Sequence, residues 1–439
     1  MSSRVWHWAA DVVSLWIVER RSPRDAIAAM PLLREATQEE RAAVVRTTAQ
    51  AIGRMRRLEF VLAGARGLVD WSAFDRALAL VLGAAVDGEE LSADNATRLL
   101  ASTGHELDFQ RLRDAEALVG AGASATERFA RLHSVPDWFA ELAPAQFGDA
   151  ADAVCKALAG AAPRTLRTNL LRVPSRELLA TELTKEGVTT RAARFAATAL
   201  HVEGDTDLFA TAAFRRGAFE QQDEASQLVV AVTAPPPGGK VLDLCAGNGG
   251  KSLALAAALR GRGLVMATDV HEGRLRVLAV RSRRAGTDNL QMCALLDGAW
   301  PSAVATFAAN ADRILVDAPC SGTGSWRRRP EARWTIDRAA LAQMATTQES
   351  LLLRAAAALK PGARLVYATC SLLASENELR IAALCAAHPE LELVRITEIL
   401  GKEVARPIAD ATGTFLSLRP DVHGCDGFFA AVLRRRRDG

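Results

Sequence analysis

Lysine is scarce in this chain: six residues stand against 48 arginines among 439. A bias that runs through the whole sequence is weak evidence for a nucleic-acid partner, so that argument must rest on local clusters. The formal net charge of +3 supplies no strong overall field. No run of ~20 uncharged apolar residues occurs, so no membrane contact by a spanning helix is expected. The N-terminal MSSRVWHWAADVVSLWIVERR has an apolar run, but Asp11 breaks it and no clear cleavage site follows. It reads as a helix and not as a signal peptide. Cysteine is sparse too. The seven residues, at 155, 245, 293, 320, 370, 385 and 425, are odd in number, widely spaced and without a C-x-x-C pair. That pattern argues against a disulfide framework and against a metal site, and it points to a reducing compartment, the cytoplasm. What is there is a globular composition, 49% hydrophobic and 24% charged, with length for two or three domains.

Residues 1–125 read as an all-helical domain rich in Ala and Leu. Apolar residues recur at three- and four-residue steps, as at Val12, Leu15 and Trp16. Thr37-Gln-Glu-Glu40 looks like a helix start with early acids. His7, His105 and His133 stand alone and read as surface or core residues. Ala121 to Ala125 is small and flexible, a linker. Leu132-His-Ser-Val-Pro-Asp-Trp138 then opens another helix, with Pro136 in its first turn. Residues 126–234 read as this linker helix and a small α/β module, with a helix from Ser175 to Glu186 and extended runs near Leu166 and Leu200. Arg164, Arg167, Arg172 and Arg176 fall close together there; a solvated face is the default and phosphate contact the alternative.

From Pro235-Pro-Pro-Gly-Gly239 to residue 439, strands and helices alternate. Strands are expected at Val241, Leu264, Leu290, Ile314, Leu365, Leu391 and Phe428, a Rossmann-like α/β sheet of the seven-strand methyltransferase type. The informative opening is Lys240 to Leu259, KVLDLCAGNGGKSLALAAAL. It reads as a buried strand, the glycine turn Cys245-Ala246-Gly247-Asn248-Gly249-Gly250, and a helix from Lys251. Such units place a ligand at the strand's carboxyl end. The next strand ends in Asp269, where an acid suits the two hydroxyls of a ribose. G-N-G-G is not G-x-G-x-x-G, so an adenosine without a pyrophosphate fits better than a dinucleotide. S-adenosylmethionine is the leading candidate.

Two further strands end in cysteine. Ile314-Leu-Val316 leads to Asp317-Ala-Pro-Cys320, and Leu365-Val-Tyr-Ala-Thr369 to Cys370. Two thiols at the active edge of one sheet suit addition to a pyrimidine. Carbon 5 of cytosine is a poor nucleophile, and a thiolate added at carbon 6 makes it enamine-like. A carboxyl group near N3 steadies the adduct, and Asp317 is placed for it. The thiolate needs a lowered pKa, from nearby arginines or a helix N-terminus. Trp326-Arg-Arg-Arg-Pro-Glu-Ala-Arg-Trp334 frames Arg327, Arg328, Arg329 and Arg333 between two tryptophans, a pattern suited to RNA phosphate contact and base stacking.

Cys245-Ala-Gly-Asn-Gly-Gly-Lys251, Asp269, Asp297, Asp317-Ala-Pro-Cys320, Ala368-Thr-Cys-Ser371 and Asp426-Gly-Phe-Phe429 resemble the Sun/RsmB family of RNA cytosine-5 methyltransferases. Upstream, Gln222-Asp-Glu-Ala-Ser-Gln227 is similar to the family's segment before the cofactor loop and Thr165-Leu-Arg-Thr-Asn169 to its small N-terminal module, and residues 1–125 are similar in helical pattern to a NusB-like RNA-binding domain. The resemblance implies Cys370 as the nucleophile, Cys320 as an aid to product release and Asp317 at the base. It implies Lys251, Asp269 and Asp297 as binders of S-adenosylmethionine, and ribosomal RNA as the partner of a monomeric enzyme, with transfer RNA as the alternative. One departure stands out: Gly247-Asn248 replaces the family's Ala-Pro. The rivals are a DNA cytosine methyltransferase, which uses the cysteine of a Pro-Cys pair, and an RNA-binding assembly factor without catalysis.

Overall fold

The computed structural model describes residues 3–64, 67–120, 122–296 and 299–437. The chain forms two compact units, Met1–Ala161 with Trp326–Arg338, and Ala162–Ser325 with Ala339–Gly439. Among the described residues no helix is long and apolar enough to cross a membrane.

The first unit is helical. Helices Ser3–Glu19, Gln38–Gly53 and Ala73–Asp87 bury Val5, Trp6, Trp16, Val44, Ile52 and Leu78 in one core. The helix start at Thr37 is a capping box: its side chain accepts from the Glu40 N–H while Glu40 reaches back. That satisfies two donors the helix itself cannot. The unit runs past residue 125. Ser124 caps helix Ala125–His133, and helices Asp137–Phe147 and Ala151–Ala159 follow. The boundary expected at 125/126 therefore lies near 161, because these helices pack with the helices before them. His133 is a core residue, bonded through Nε2 to Asp152 at 2.7 Å.

The second unit opens on a small antiparallel sheet of β1 (Thr165–Thr168), β2 (Thr190–Ala192), β3 (Ala199–Val202) and β4 (Phe219–Gln221), in the order β2-β3-β1-β4. Helix Arg176–Lys185, capped by Ser175, joins β1 to β2. Of the solvated arginine face expected here only Arg172 is exposed. Arg167 is buried, where Glu220 of β4 supports its charge. Arg164 donates to the carbonyls of Gly204 and Thr206. Arg176 donates to those of Ala193, Ala196 and Ala199. A short sheet has many unpaired carbonyls, and long guanidinium side chains satisfy them.

The large sheet comprises β5 (Lys240–Asp243), β6 (Leu264–Asp269), β7 (Leu290–Ala294), β8 (Arg313–Asp317), β9 (Arg364–Thr369), β10 (Leu391–Val394), β11 (Leu416–Leu418) and β12 (Phe428–Arg435). Its order is β10-β12-β9-β8-β5-β6-β7, with β11 paired to β12. All seven expected strands are present; β11 is an eighth, too short to signal itself. Strands β5 to β9 run parallel, and β12 lies antiparallel between β9 and β10. The apolar runs of β5, β6, β8 and β9 are continuous because helices cover both faces. The chain leaves β5 toward β6 on one side and returns to β8 on the other. The carboxyl ends of β5 and β8 therefore flank the crevice where such sheets take ligands.

Candidate active site

The turn after β5 is shaped by glycine. Gly247 and Gly249 take φ of +55° and +81°. A Cβ on Gly249 would collide with the Leu278 side chain, whereas one on Gly247 would meet open space. Asn248 does not carry the left-handed geometry; the glycines on either side do. Its carbonyl accepts from Arg281 at 2.5 Å, and Arg281 is held by Glu220 at 2.9 Å. A turn without the family's proline is thus tied to the small sheet instead.

Two carboxylates face this turn. Asp269 accepts the Gly247 N–H and the His271 N–H, one on each oxygen, both at 2.8 Å. Each oxygen keeps a lone pair that can take a hydroxyl. Asp243 is fully buried, with Oδ2 accepting from Ser252 at 2.6 Å and Oδ1 without a partner. Burial pushes it up to about 7, and Asp317 and Asp269 add to the rise. An orphaned buried oxygen, an acidic pair of acceptors and an open glycine turn fit an adenosyl group bearing a cationic amine. Asp269→Ala should weaken S-adenosylmethionine binding by roughly 1–3 kcal/mol for each charge-assisted hydrogen bond lost. Calorimetry would read this, and unchanged affinity would remove Asp269 from the site. Asp297 lies outside the described residues.

Across the crevice, β8 and β9 deliver the sulfurs. Cys320 and Cys370 Sγ stand 3.4 Å apart, both half-buried. Hydrogen bonding from Cys320 holds the Cys370 thiol below its ordinary range, helped by the charge of Lys251. The same bond, with burial, raises Cys320. Both shifts favour thiolate character on Cys370 over Cys320. The expected arginines take no part; the cation is Lys251. Lys251 is buried, 2.7 Å from Asp317 Oδ2 and 4.9 Å from the centre of the Phe428 ring. Burial opposes its charge, yet Asp317, the Cys370 sulfur and Asp243 together raise its pKa. The loop after Cys320 is fastened to Cys370 by Gly324 N–H to the Cys370 carbonyl at 2.9 Å. Gly324 and Gly427 cross so closely that a Cβ on either would collide. This accounts for the glycine of Asp426-Gly-Phe-Phe429. Sequence reasoning missed Asp243, an acid inside an apolar strand, and the ring of Phe428, which looks like an ordinary strand residue.

The segment Trp326–Trp334 does not present a stacking platform. It belongs to the helical unit. Trp326 is fully buried against Phe139, with centroids 4.7 Å apart, and Trp334 donates to the Ile52 carbonyl at 2.8 Å. Arg333 is 1% exposed and donates to the carbonyls of Gly53, Ser134 and Leu158. It is withdrawn from any phosphate, because those carbonyls and its burial fix it inside the unit. Arg328 and Arg329 are exposed and Arg327 partly so.

A mixed sheet of this order, parallel from β5 to β9, with a glycine turn and an acid at the switch point and paired thiols beside them, defines an α/β methyltransferase. Residues 230–434 match the family model "16S rRNA methyltransferase RsmB/F", and residues 135–208 match its "ferredoxin-like domain". The "Probable ribosomal RNA small subunit methyltransferase B" of Bacillus subtilis is 33% identical over 312 residues, 70% of this chain and 68% of that protein. The "Ribosomal RNA small subunit methyltransferase B" of Vibrio cholerae is 31% identical over 317 residues, 72% of this chain and 69% of that one. A solved structure, that of PH0851, shares the fold over 99% of this chain and 100% of its own at a TM-score of 0.78 and 22% identity. The chain belongs to the RsmB/F family of RNA cytosine-5 methyltransferases, which depend on S-adenosylmethionine.

Proposed function

We propose that this protein methylates carbon 5 of a cytosine in small-subunit ribosomal RNA, with Cys370 as the attacking group. The observation that carries the reading is the sulfur pair at 3.4 Å, with the Cys370 thiol lowered and the Cys320 thiol raised. S-adenosylmethionine, when bound, supplies an electrophilic methyl group. Cys370 adds to carbon 6, and the ring electrons collect at carbon 5. Asp317, steadied by Lys251, contacts the polar edge of the base. Once carbon 5 carries the methyl group, Cys320, having released its own proton to solvent, accepts the carbon 5 proton, and the electron pair returning to the ring expels Cys370. The Pro-Cys route of the DNA enzymes would need its thiolate on Cys320, the sulfur whose pKa is raised. Intact Cys370, Asp317 and Lys251 count against a non-catalytic assembly factor. The ribosomal substrate is supported by the printed names of the relatives from Bacillus subtilis and Vibrio cholerae. RNA contact by Arg327, Arg328 and Arg329 belongs to the same proposal. Bisulfite sequencing of RNA from a deletion strain and its complement tests it. One small-subunit cytosine should lose and regain its mark; a change confined to transfer RNA would overturn the substrate.

A further inference from the structure

At the sheet edge opposite the cysteines, where β8 and β9 begin and β12 ends, six arginines line one cavity of about 650 Å³. They are Arg313, Arg364, Arg434, Arg435, Arg436 and Arg437, and Glu392 is the one carboxylate in the lining. Glu392 pairs with Arg434 at 2.6 Å and reaches Arg436 at 3.8 Å. Arg313 and Arg435 are aimed by backbone carbonyls, those of Thr233, Ala234 and Leu359. Carbonyls orient a guanidinium but do not cancel its charge. Burial and the neighbouring Arg364 bring Arg313 down to about 10, and burial and Arg434 lower Arg364 in turn. Like charges are therefore held together at a cost to folding that a bound anion would relieve.

We propose that this rear face grips the phosphate backbone of the RNA substrate, away from the target base. Guanidinium forks match phosphate in pairs. The six-residue strand β9 sets the two edges roughly 20 Å apart, so only an RNA longer than the target hairpin can reach both. The test compares the full-length protein with the triple variant Arg434→Gln, Arg436→Gln, Arg437→Gln. Each is titrated with a short target hairpin and with a longer ribosomal fragment containing it, across salt. The variant's salt slope on the long fragment should fall by about two to three log units per log unit of salt, for about three lost phosphate contacts. Hairpin methylation should be unchanged, which reports the proposed catalytic function separately. Equal slopes would overturn the proposal. So would retained RNA slopes with lost binding to phosphatidylserine vesicles, which would make the face a membrane contact. If the triple variant melts early, Arg436→Gln with Arg437→Gln answers the same question with an expected fall of about one to two.

The second inference concerns Glu376, which is 2% exposed between β9 and helix Glu378–Ala387. Its Oε1 accepts from the Ser321 N–H at 2.9 Å and from Gln348 at 3.0 Å. Its Oε2 accepts from the hydroxyls of Ser321 and Ser371, each at 2.5 Å. Ser321 follows Cys320 and Ser371 follows Cys370, so one carboxylate clasps both sulfur-bearing loops. Next to it, Thr323 Oγ1 accepts from the Leu372 N–H at 2.8 Å. We infer that Glu376 is a positioning residue that sets the separation of Cys320 and Cys370.

This rests on the proposed roles of the cysteines, so the readout is chosen to be independent of turnover. Cys370 in the full chain is alkylated with iodoacetamide across pH and followed by mass spectrometry. The groups facing Cys370 are Cys320, Ser325, Lys251 and Asp317. Glu376→Gln removes an acceptor for two of the four donors, and the Cys320–Cys370 bond loosens. The alkylation midpoint should rise by about one pH unit, the weight of one hydrogen bond. In a Cys320→Ala background the same substitution should cause no further rise, because it acts through Cys320. An unchanged midpoint in Glu376→Gln, or an equal rise in both backgrounds, would overturn the inference. A purely structural role would lower the melting temperature and leave the midpoint in place. Should Glu376→Gln fail to fold, Ser321→Ala, which cuts the sulfur-loop donors to Glu376 from three to two, carries the same test.

Discussion

Cys370→Ala should stop methyl transfer, by on the order of 10⁴–10⁶-fold, while the fold and cofactor affinity persist. The sulfur sits just beyond β9, whose register with β8 and β12 depends on backbone bonds that alanine retains. Its loop is held by Gly324 and Ser371, not by the thiol. What alanine removes is the sulfur that, in the proposed mechanism, raises electron density at carbon 5. The neighbouring Cys320 is a poor substitute, because its burial still disfavours the thiolate even after the hydrogen bond from Cys370 is gone. Single-turnover transfer of a labelled methyl group to target RNA reads the loss. Activity within about tenfold of the unmodified protein would remove Cys370 as the nucleophile.

The large sheet was legible because it follows local rules. Val241–Leu244, Ile314–Val316 and Leu365–Ala368 are apolar runs bounded by turns, and parallel strands buried on both faces need nothing else. Cys320 and Cys370 were legible for the same reason: a strand that ends in a polar residue points it at the active edge. The arginines were not legible. Arg167, Arg176 and Arg333 look like surface charge in one dimension, yet each is spent on carbonyls or a carboxylate contributed by residues far along the chain. Arg333 reaches back to Gly53, 280 residues away in sequence. Whether a guanidinium meets solvent or a carbonyl is decided by tertiary packing, and no local pattern records it. The helical unit's extent failed likewise: a small-residue stretch before Ser124 reads as a linker, but a capping box closes it into the next helix.

Glu376 shows the same limit inside the site. Ser371-Leu-Leu-Ala-Ser-Glu376 has no spacing that marks a shared carboxylate, since half of its donors come from Ser321 on another strand's loop. Asp243 was hidden differently. It sits in the strand Val241-Leu-Asp-Leu244, where an acid is anomalous, and that anomaly is the signal that could have found it.

Cys320→Ala should behave oppositely to Cys370→Ala. Attack needs only the Cys370 thiolate, and Lys251 still lowers its pKa when Cys320 is gone. Losing the hydrogen bond from Cys320 raises that pKa, so attack should be slower near neutral pH but not abolished. Release is the step that suffers. After methylation carbon 5 carries both the methyl group and a proton. The carbon–sulfur bond breaks only when that proton leaves and its electron pair returns to the ring. Cys320, 3.4 Å from the sulfur that must depart, is the group within reach of that step. General-base help of this kind is worth about 10²–10⁴-fold. The variant should therefore complete a first methylation and then stall, accumulating a protein–RNA species that survives denaturing electrophoresis and nuclease trimming to one nucleotide. Cys320→Ala with Cys370→Ala should form none, because the attacking sulfur is absent. A covalent species in Cys370→Ala and none in Cys320→Ala would reverse the two roles. Full turnover in Cys320→Ala would leave the release step to another base and reduce Cys320 to a partner that tunes the thiolate.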